Sequence, residues 1–336
     1  MSDHVVAVVG ATGAVGRTIL SVLEERSFPL SGLRLLASPR SAGTIVSTSW
    51  GDVVVEDLDT ADVTGVDIAL FSAGGDRSRR YAPAFAAGGT VVVDNSSAFR
   101  MDPTVPLVVV GVNDAAAAEH HGIVANPNCT TMTLMMAAGP LHRAFGLESI
   151  VASSYQAVSG SGQKGVRELT GQIDVFRDQV AALMAGTWED PGADLYSRPI
   201  GFNVIPEAGT ATENGYTDEE MKLVYESRKI LGIEDLRVEP TCVRVPVMVG
   251  HGVSATLRFS NDVGADQAID VLNQATGLEV WTDKTPTPLD SAGIDEVLAG
   301  RIRNTIGEPG GINLWVVGDN LRKGAALNAV QIAELL

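Results

Sequence analysis

Residues 5–9 are apolar without alternation, the pattern of a strand buried on both faces of a parallel sheet. A glycine-rich turn follows, and residues 17–25 continue with the spacing of an amphipathic helix. Short apolar runs at 33–38, 66–73, 90–94, 107–112 and 123–125 repeat the strand signal. Strands alternating with helical stretches predict a doubly wound α/β sheet. An apolar, helix-like run covers 132–145, and beyond it the pattern changes. Residues 150–154 and 242–249 read as strands and 255–260 alternates, with polar helical stretches at 165–184 and 217–231. That is the pattern of an α+β second domain. Residues 188–212, rich in Gly, Pro and Asp, predict a long loop or lid. The last stretch, 321–336, is an apolar-faced helix that we place back on the first domain. The expected division is therefore 1–128 plus 319–336 for the first domain and 129–318 for an inserted second one.

Composition narrows the classes without naming one. A chain of 336 residues is too long for one small core. Two cysteines make neither a disulfide framework nor a tetrahedral zinc cluster, so a reducing compartment and no metal are expected. No apolar run reaches the length of a membrane span. Met1-Ser2-Asp3-His4 is expected to enter a strand at once, leaving no room for a signal peptide, so cytoplasm is the expectation. The net charge of −17 shows no basic stripe for nucleic acid. In so acidic a chain, basic residues at a cleft would have an anionic substrate to serve.

Gly10-x-x-Gly13-x-x-Gly16 lies between a strand and a helix, where glycines permit close backbone approach and the helix start receives pyrophosphate. A tight turn without a ligand is the alternative. After the second strand stand Ser38, Arg40 and Ser41, where an NAD site tends to offer a carboxylate. Two hydroxyls and an arginine suit a 2′-phosphate, hence NADP, against the alternative of a solvated polar loop. Asn126-Pro127-Asn128-Cys129 opens the apolar helix. A helix N-terminus favours a thiolate, the nucleophilic form of cysteine, although a structural cysteine would also fit. Asn95 and Arg100 follow a strand at its carboxyl end, where ligands bind in open α/β sheets, or form an ordinary turn. Gln156, at the head of a Gly/Ser loop, would donate to a carbonyl oxygen. Arg244 would be expensive to bury without an anion. Of five histidines, His251 alone stands at a glycine-flanked strand end and suits a general base, or a structural role. Tyr225-x-x-x-Lys229 matches a short-chain dehydrogenase pair, but in a polar helix we read it as chance.

In their order, these segments resemble aspartate-semialdehyde dehydrogenase of the bacterial type nearly end to end. The strings are Gly-Ala-Thr-Gly-Ala-Val-Gly, Ser-x-Arg-Ser-Ala-Gly, Asn-Ser-Ser-x-x-Arg, Asn-Pro-Asn-Cys-Thr-Thr, Tyr-Gln-x-x-Ser-Gly, Glu-Glu-x-Lys and Arg-Val-Pro-Val-x-x-x-His. The resemblance implies a Rossmann-type NADP-binding domain with an inserted catalytic and dimerisation domain. It implies reduction of 4-phospho-L-aspartate to L-aspartate 4-semialdehyde with NADPH, releasing phosphate, in the biosynthesis of lysine (through diaminopimelate), threonine, methionine and isoleucine. Carried over, Cys129 becomes the acyl-thioester, His251 is the acid/base and Gln156 orients the acyl group. Arg244 pairs with the substrate carboxylate and Glu219 with its amino group. Arg100, Asn95 and Lys222 resemble the phosphate site. Thr12, Gly13, Ala14, Val15, Ser38, Arg40, Ser41, Ser159, Gly160 and Asn320 resemble the NADP contacts. A homodimer or homotetramer is implied, with no nucleic-acid or membrane partner.

Two departures stand out. Gly252 follows His251 where relatives often have serine, which would change a hydrogen bond beside the histidine, and Gly201 stands where alanine is frequent. N-acetyl-gamma-glutamyl-phosphate reductase is the nearest rival; the Arg-Val-Pro-Val-x-x-x-His and Ser-x-Arg-Ser-Ala-Gly strings argue against it. A non-catalytic NADP sensor is the other rival, and it would need no nucleophile.

Overall fold

A computed structural model describes residues 4–307 and 309–336; residues 1–3, expected to lead straight into the first strand, lie outside them. The chain forms two compact units, one of Met1–Met135, Arg228–Glu234 and Leu321–Leu336, the other of Met136–Ser227 and Asp235–Asn320.

In the first unit the chain runs β1 (His4–Val9), α1 (Ala14–Glu25), β2 (Leu30–Ala37), β3 (Ile45–Thr48), β4 (Gly51–Asp57), β5 (Ile68–Phe71), α2 (Gly75–Ala87), β6 (Val91–Asp94), β7 (Ile123–Ala125) and the start of α3 (Cys129–Phe145). The sheet order is β3-β4-β2-β1-β5-β6-β7, parallel except for the β3–β4 hairpin at its edge. Val6 and Val8 on β1 pack with Ile19 and Leu23 of α1 and with Val330 and Ile332 of the C-terminal helix. Phe71 points the other way from Leu70 and meets Phe85 of α2 edge to face at 5.1 Å. Helices thus cover both faces of a sheet whose central strands are apolar throughout.

One expected strand is missing. Residues 107–112 contribute only a parallel bridge from Leu107 to Ala125. Side chains replace the ladder here. Asn328 Nδ2 donates to the Val108 carbonyl (2.8 Å) and its Oδ1 accepts from the Val110 N–H (2.9 Å). Asn113 does the same for Leu107 and Val109.

The second unit contains β8 (Leu147–Gln156), α4 (Gly162–Arg177), α5 (Val180–Ala185), most of α6 (Asp218–Leu231), β9 (Arg237–Arg244), β10 (His251–Phe259), α7 (Ala265–Leu272), β11 (Leu278–Trp281), α8 (Pro288–Ser291), β12 (Val297–Asn304) and β13 (Gly311–Gly318). Its mixed sheet has the order β11-β12-β13-β10-β8-β9. The helix expected over 165–184 breaks between Arg177 and Val180, and the strand expected over 242–249 ends at Arg244. The loop at 188–212 is pinned to α4. Gln172, buried, donates to the Gly192 carbonyl and accepts from the N–H groups of Ile200 and Gly201. A Cβ on Gly201 would press on Gln172 and Phe176 at 2.9 Å, which accounts for glycine at that position. The final helix, α9 (Leu327–Leu335), belongs to the first unit. Among the described residues, no helix is long and apolar enough to cross a membrane.

Candidate active site

In the first unit, Gly10 has φ +88°, and its α-carbon lies so close to the Ser72 carbonyl that any Cβ would collide. The turn delivers Gly13, exposed and extended, as the N-cap of α1, so Ala14 and Val15 begin the helix. Thr12 Oγ1 donates to Ser41 Oγ (3.3 Å), joining this turn to the loop after β2. That loop closes by the Ser41 N–H donating to the Ser38 carbonyl (2.8 Å) and leaves Arg40 exposed. Asp57, paired with Ala37 on the neighbouring strand, turns its carboxylate onto the Asp59 N–H (3.0 Å). A helix start, two hydroxyls and an arginine fit a dinucleotide bearing a 2′-phosphate.

Cys129 is the first residue of α3 and is half-buried. Asn128 caps the helix: its Oδ1 accepts from the N–H groups of Thr130 (2.9 Å) and Thr131 (3.2 Å). The sulfur thus sits at the positive end of a helix with no acid in its first turn. Asn95 and Arg100 belong to the same segment. Asn95 Oδ1 accepts from Asn126 Nδ2 (2.7 Å), while Arg100 donates through Nε to the Asn126 carbonyl (2.9 Å) and through Nη2 to the Asn95 carbonyl (2.8 Å). Arg100 braces the backbone leading to Cys129, and Asn95 holds the Asn126 side chain on it.

In the second unit, the sheet gathers three of the expected residues at one edge. Gln156 ends β8, its register partner Arg244 ends β9, and His251 begins β10 on the other side of β8. One backbone unit orients two of them: the Ala157 N–H donates to His251 Nδ1 (3.0 Å) and the Ala157 carbonyl accepts from Arg244 Nη1 (2.9 Å). His251 is fully buried, Arg244 8% exposed, and among the described residues His251 Nε2 and Arg244 Nε have no hydrogen-bond partner. A Cβ on Gly160 would lie 3.2 Å from both His251 Nε2 and Arg244 Nη1, so that position serves these two side chains. Tyr196 lies 5.8 Å from the Arg244 guanidinium carbon. Nothing in the sequence pointed to Ala157, because its contribution is made by backbone atoms.

Ser159 and Asn320 bind each other, with Asn320 Nδ2 donating to Ser159 Oγ (2.9 Å), and Asn320 Oδ1 accepts from the Gly250 N–H (2.9 Å). Lys222 is paired with Asp218 (2.7 Å) and with Glu219 (2.9 Å). Burial alone would lower its pKa, but the two carboxylates raise it further and keep it cationic. Gly252 leaves room for the Trp315 ring, with which any Cβ would collide, a steric reason for glycine here. Tyr225-x-x-x-Lys229 is structural. Lys229 Nζ donates to the carbonyls of Arg100, Asp102 and Val105, and Tyr225 is 44% exposed. The second cysteine, Cys242, is buried inside β9, and burial pushes its thiol up to about 12.

Burial, and then the charge of Arg244, push His251 down to about 3, with Glu219 opposing. The unfolded residue titrates near 6.5. The unfolded chain therefore binds the extra proton between these values. The native state keeps its full stability above about pH 6.5 and loses it as pH falls toward 3. We expect His251→Asn to flatten the acid limb between pH 6.5 and 5 by up to one proton, about 1.4 kcal/mol per pH unit. Urea midpoints that fall equally steeply in wild type and variant would refute this.

The family model described as "Semialdehyde dehydrogenase, NAD binding domain" matches residues 5–120, and "Semialdehyde dehydrogenase, dimerisation domain" matches residues 139–323. Curated relatives named aspartate-semialdehyde dehydrogenase from Streptomyces akiyoshiensis and Mycolicibacterium smegmatis are 52% and 49% identical, each over 98% of both chains. A solved Vibrio cholerae structure, aspartate semialdehyde dehydrogenase II complexed with ASA, is 46% identical with a TM-score of 0.93, covering 100% of this chain and 98% of its own. Both units thus carry the same assignment, and the near-full-length identities leave neither rival a place. The chain is a member of the aspartate-semialdehyde dehydrogenase family, an oxidoreductase that uses a nicotinamide dinucleotide and carries a dimerisation domain.

Proposed function

We propose that this chain reduces 4-phospho-L-aspartate to L-aspartate 4-semialdehyde with NADPH, releasing phosphate, through an acyl-thioester on Cys129. The observation that carries the reading is the pair of buried donors, His251 Nε2 and Arg244 Nε, that find no acceptor among the described residues although Ala157 orients both side chains. Unsatisfied buried N–H groups are costly unless a ligand completes them, and the substrate brings both a carboxylate and a developing oxyanion.

In this reading the Cys129 thiolate attacks the acyl phosphate carbon, the C–O bond to phosphate breaks, and a thioester remains. Bound NADPH would supply the hydride to the acyl carbon, after which the C–S bond breaks, releasing the semialdehyde and restoring the Cys129 thiolate. Because His251 Nδ1 accepts from Ala157, the neutral ring carries its proton at Nε2 and offers a hydrogen bond to the oxygen that gains charge. Arg244 holds the substrate carboxylate, Glu219 its amino group, and Gln156 orients the acyl group. Arg100, Asn95 and Lys222 form the phosphate site; the pairing of Lys222 with Asp218 and Glu219 means phosphate competes with those carboxylates. Thr12, Gly13, Ala14, Val15, Ser38, Arg40 and Ser41 serve the dinucleotide, joined by Ser159, Gly160 and Asn320. The dimerisation-domain match and the exposed Val151 and Tyr155 of β8 support a homodimer or homotetramer. We place the enzyme in the cytoplasm, in the synthesis of lysine, diaminopimelate, threonine, methionine and isoleucine.

The test is NADP reduction with aspartate semialdehyde, which should require inorganic phosphate; turnover independent of phosphate would overturn the reading. NADP should be preferred over NAD, and Arg40→Ala should narrow that preference. Loss of one charged hydrogen bond to the 2′-phosphate should cost about 1.5–3 kcal/mol, roughly tenfold or more in affinity. Equal use of NAD and NADP by the wild type would sink the assignment of Ser38, Arg40 and Ser41.

A further inference from the structure

The C-terminal segment opens with a widened turn, Arg322–Ala326, in which the Ala326 N–H reaches back to the Leu321 carbonyl (3.0 Å). Such π-type turns occur mostly as single insertions in helices, often at functional sites. This one carries Lys323, which is 2% exposed. Its Nζ donates to the Val110 carbonyl (2.8 Å), Asn328 Oδ1 (3.0 Å) and Gln331 Oε1 (2.8 Å), three acceptors for the three protons of an ammonium. Asn328, fully buried, spends every polar atom: Nδ2 donates to the Val108 carbonyl and to Asn126 Oδ1 (2.7 Å), and Oδ1 accepts from Val110 and Lys323. Asn126 is in turn saturated. Its Nδ2 donates to Asn95 Oδ1 (2.7 Å) and, more weakly, to the Ala325 carbonyl (3.3 Å), its N–H to the Asp94 carbonyl, and its carbonyl accepts from Arg100. A buried polar chain thus runs from Lys323 through Asn328 to Asn126, three residues before Cys129. All of it lies within the first unit.

We propose that Asn328 and Lys323 are positioning residues for the Cys129 sulfur. The inference rests on the proposed role of Cys129 as nucleophile and adds residues some 200 positions away in sequence, whose side chains take the place of a sheet ladder. The segment before Cys129 leaves β7, which is held by β6 on one side but meets 107–112 on the other only at the Leu107–Ala125 bridge. Fully satisfied networks of this kind are rigid, and half-satisfied ones are worse than none. Removing Asn328 leaves Asn126 Oδ1, the Val108 carbonyl and the Lys323 ammonium each short of a partner, so the backbone entering α3 is expected to shift.

The test compares Asn328→Ala and Lys323→Met with Ile332→Val, a core change on the same C-terminal helix that lowers stability without touching the network. Readouts are kcat, the KM values for semialdehyde and phosphate, the Kd for NADPH, and the rate of Cys129 carboxamidomethylation by iodoacetamide followed by mass spectrometry. We expect kcat and the alkylation rate to fall together in both network variants, by about tenfold to a hundredfold, the scale of a misplacement near 1 Å. KM and Kd should change less than about threefold, and Ile332→Val should keep both rates at equal melting temperature. Network variants that fold, melt lower and retain wild-type kcat and alkylation overturn the proposal. Should neither fold, Gln331→Leu, half-buried and in contact with Lys323 alone among these residues, is expected to lower kcat about threefold; unchanged kcat overturns it there. Full activity in Cys129→Ser would instead remove the underlying reading, whatever the network variants do.

Discussion

Cys129→Ser is expected to abolish turnover, by about a thousandfold or more, while NADPH binds as before. Serine suits the start of α3 as well as cysteine does, and the Asn128 cap to Thr130 and Thr131 does not involve the sulfur. Stability should therefore stay within about 0.5 kcal/mol of wild type. What changes is the nucleophile. A hydroxyl is scarcely ionised at neutral pH, even at a helix N-terminus, so acyl transfer from phosphate stalls before any hydride is taken. Fluorescence titration with NADPH and steady-state assays in both directions separate the two effects. Near-normal turnover would remove Cys129 from the mechanism.

The second large effect is expected at Arg244. In the phosphorylating direction, Arg244→Ala should raise the KM for semialdehyde about thirtyfold, about 2 kcal/mol for a charge-assisted pair, with the phosphate term nearly unchanged. Lysine should not restore it, because one ammonium cannot hold the Ala157 carbonyl and a carboxylate in the fixed fork of a guanidinium. Arg100→Ala should raise the KM for phosphate, but kcat should fall as well, since Arg100 also holds the carbonyls of Asn95 and Asn126. The clamps are thus separable in only one direction. If Arg244→Ala damages the phosphate and semialdehyde terms equally, the assignment of two anion sites is wrong.

Much of this was readable from the chain, for reasons that differ by element. The sheet of the first unit announces itself because strands buried on both faces leave no polar positions, as at Val6–Val9. Cys129 is legible because a cap residue, a proline and an apolar run mark a helix start. The run 107–112 misled for the same reason: Leu107 to Val109 are buried, but Asn113, Asn328 and Lys323 satisfy much of its backbone where a full strand ladder would. Periodicity cannot register such long-range substitution. The β3–β4 hairpin passed unread because its exposed edge carries polar residues and a weak pattern. Within the candidate site, the sequence proposes side chains but not their tethers. Ala157 acts through its peptide group, and Asn126 acts through partners brought from the far end of the chain.

Cys242 has a practical bearing on all the experiments above. With burial pushing its thiol up to about 12, Cys242 is almost wholly protonated at pH 8, and the group is enclosed by the sheet. Cys129, the other of the two cysteines, is half-open at a helix start. Each protomer therefore has a single addressable electrophile target. One equivalent of iodoacetamide or maleimide counts competent centres in a preparation directly, and a fluorophore carried on that reagent reports from one known position. Covalent inhibitors built on a mild electrophile would reach saturation at one adduct per chain, with no second site to blur the stoichiometry.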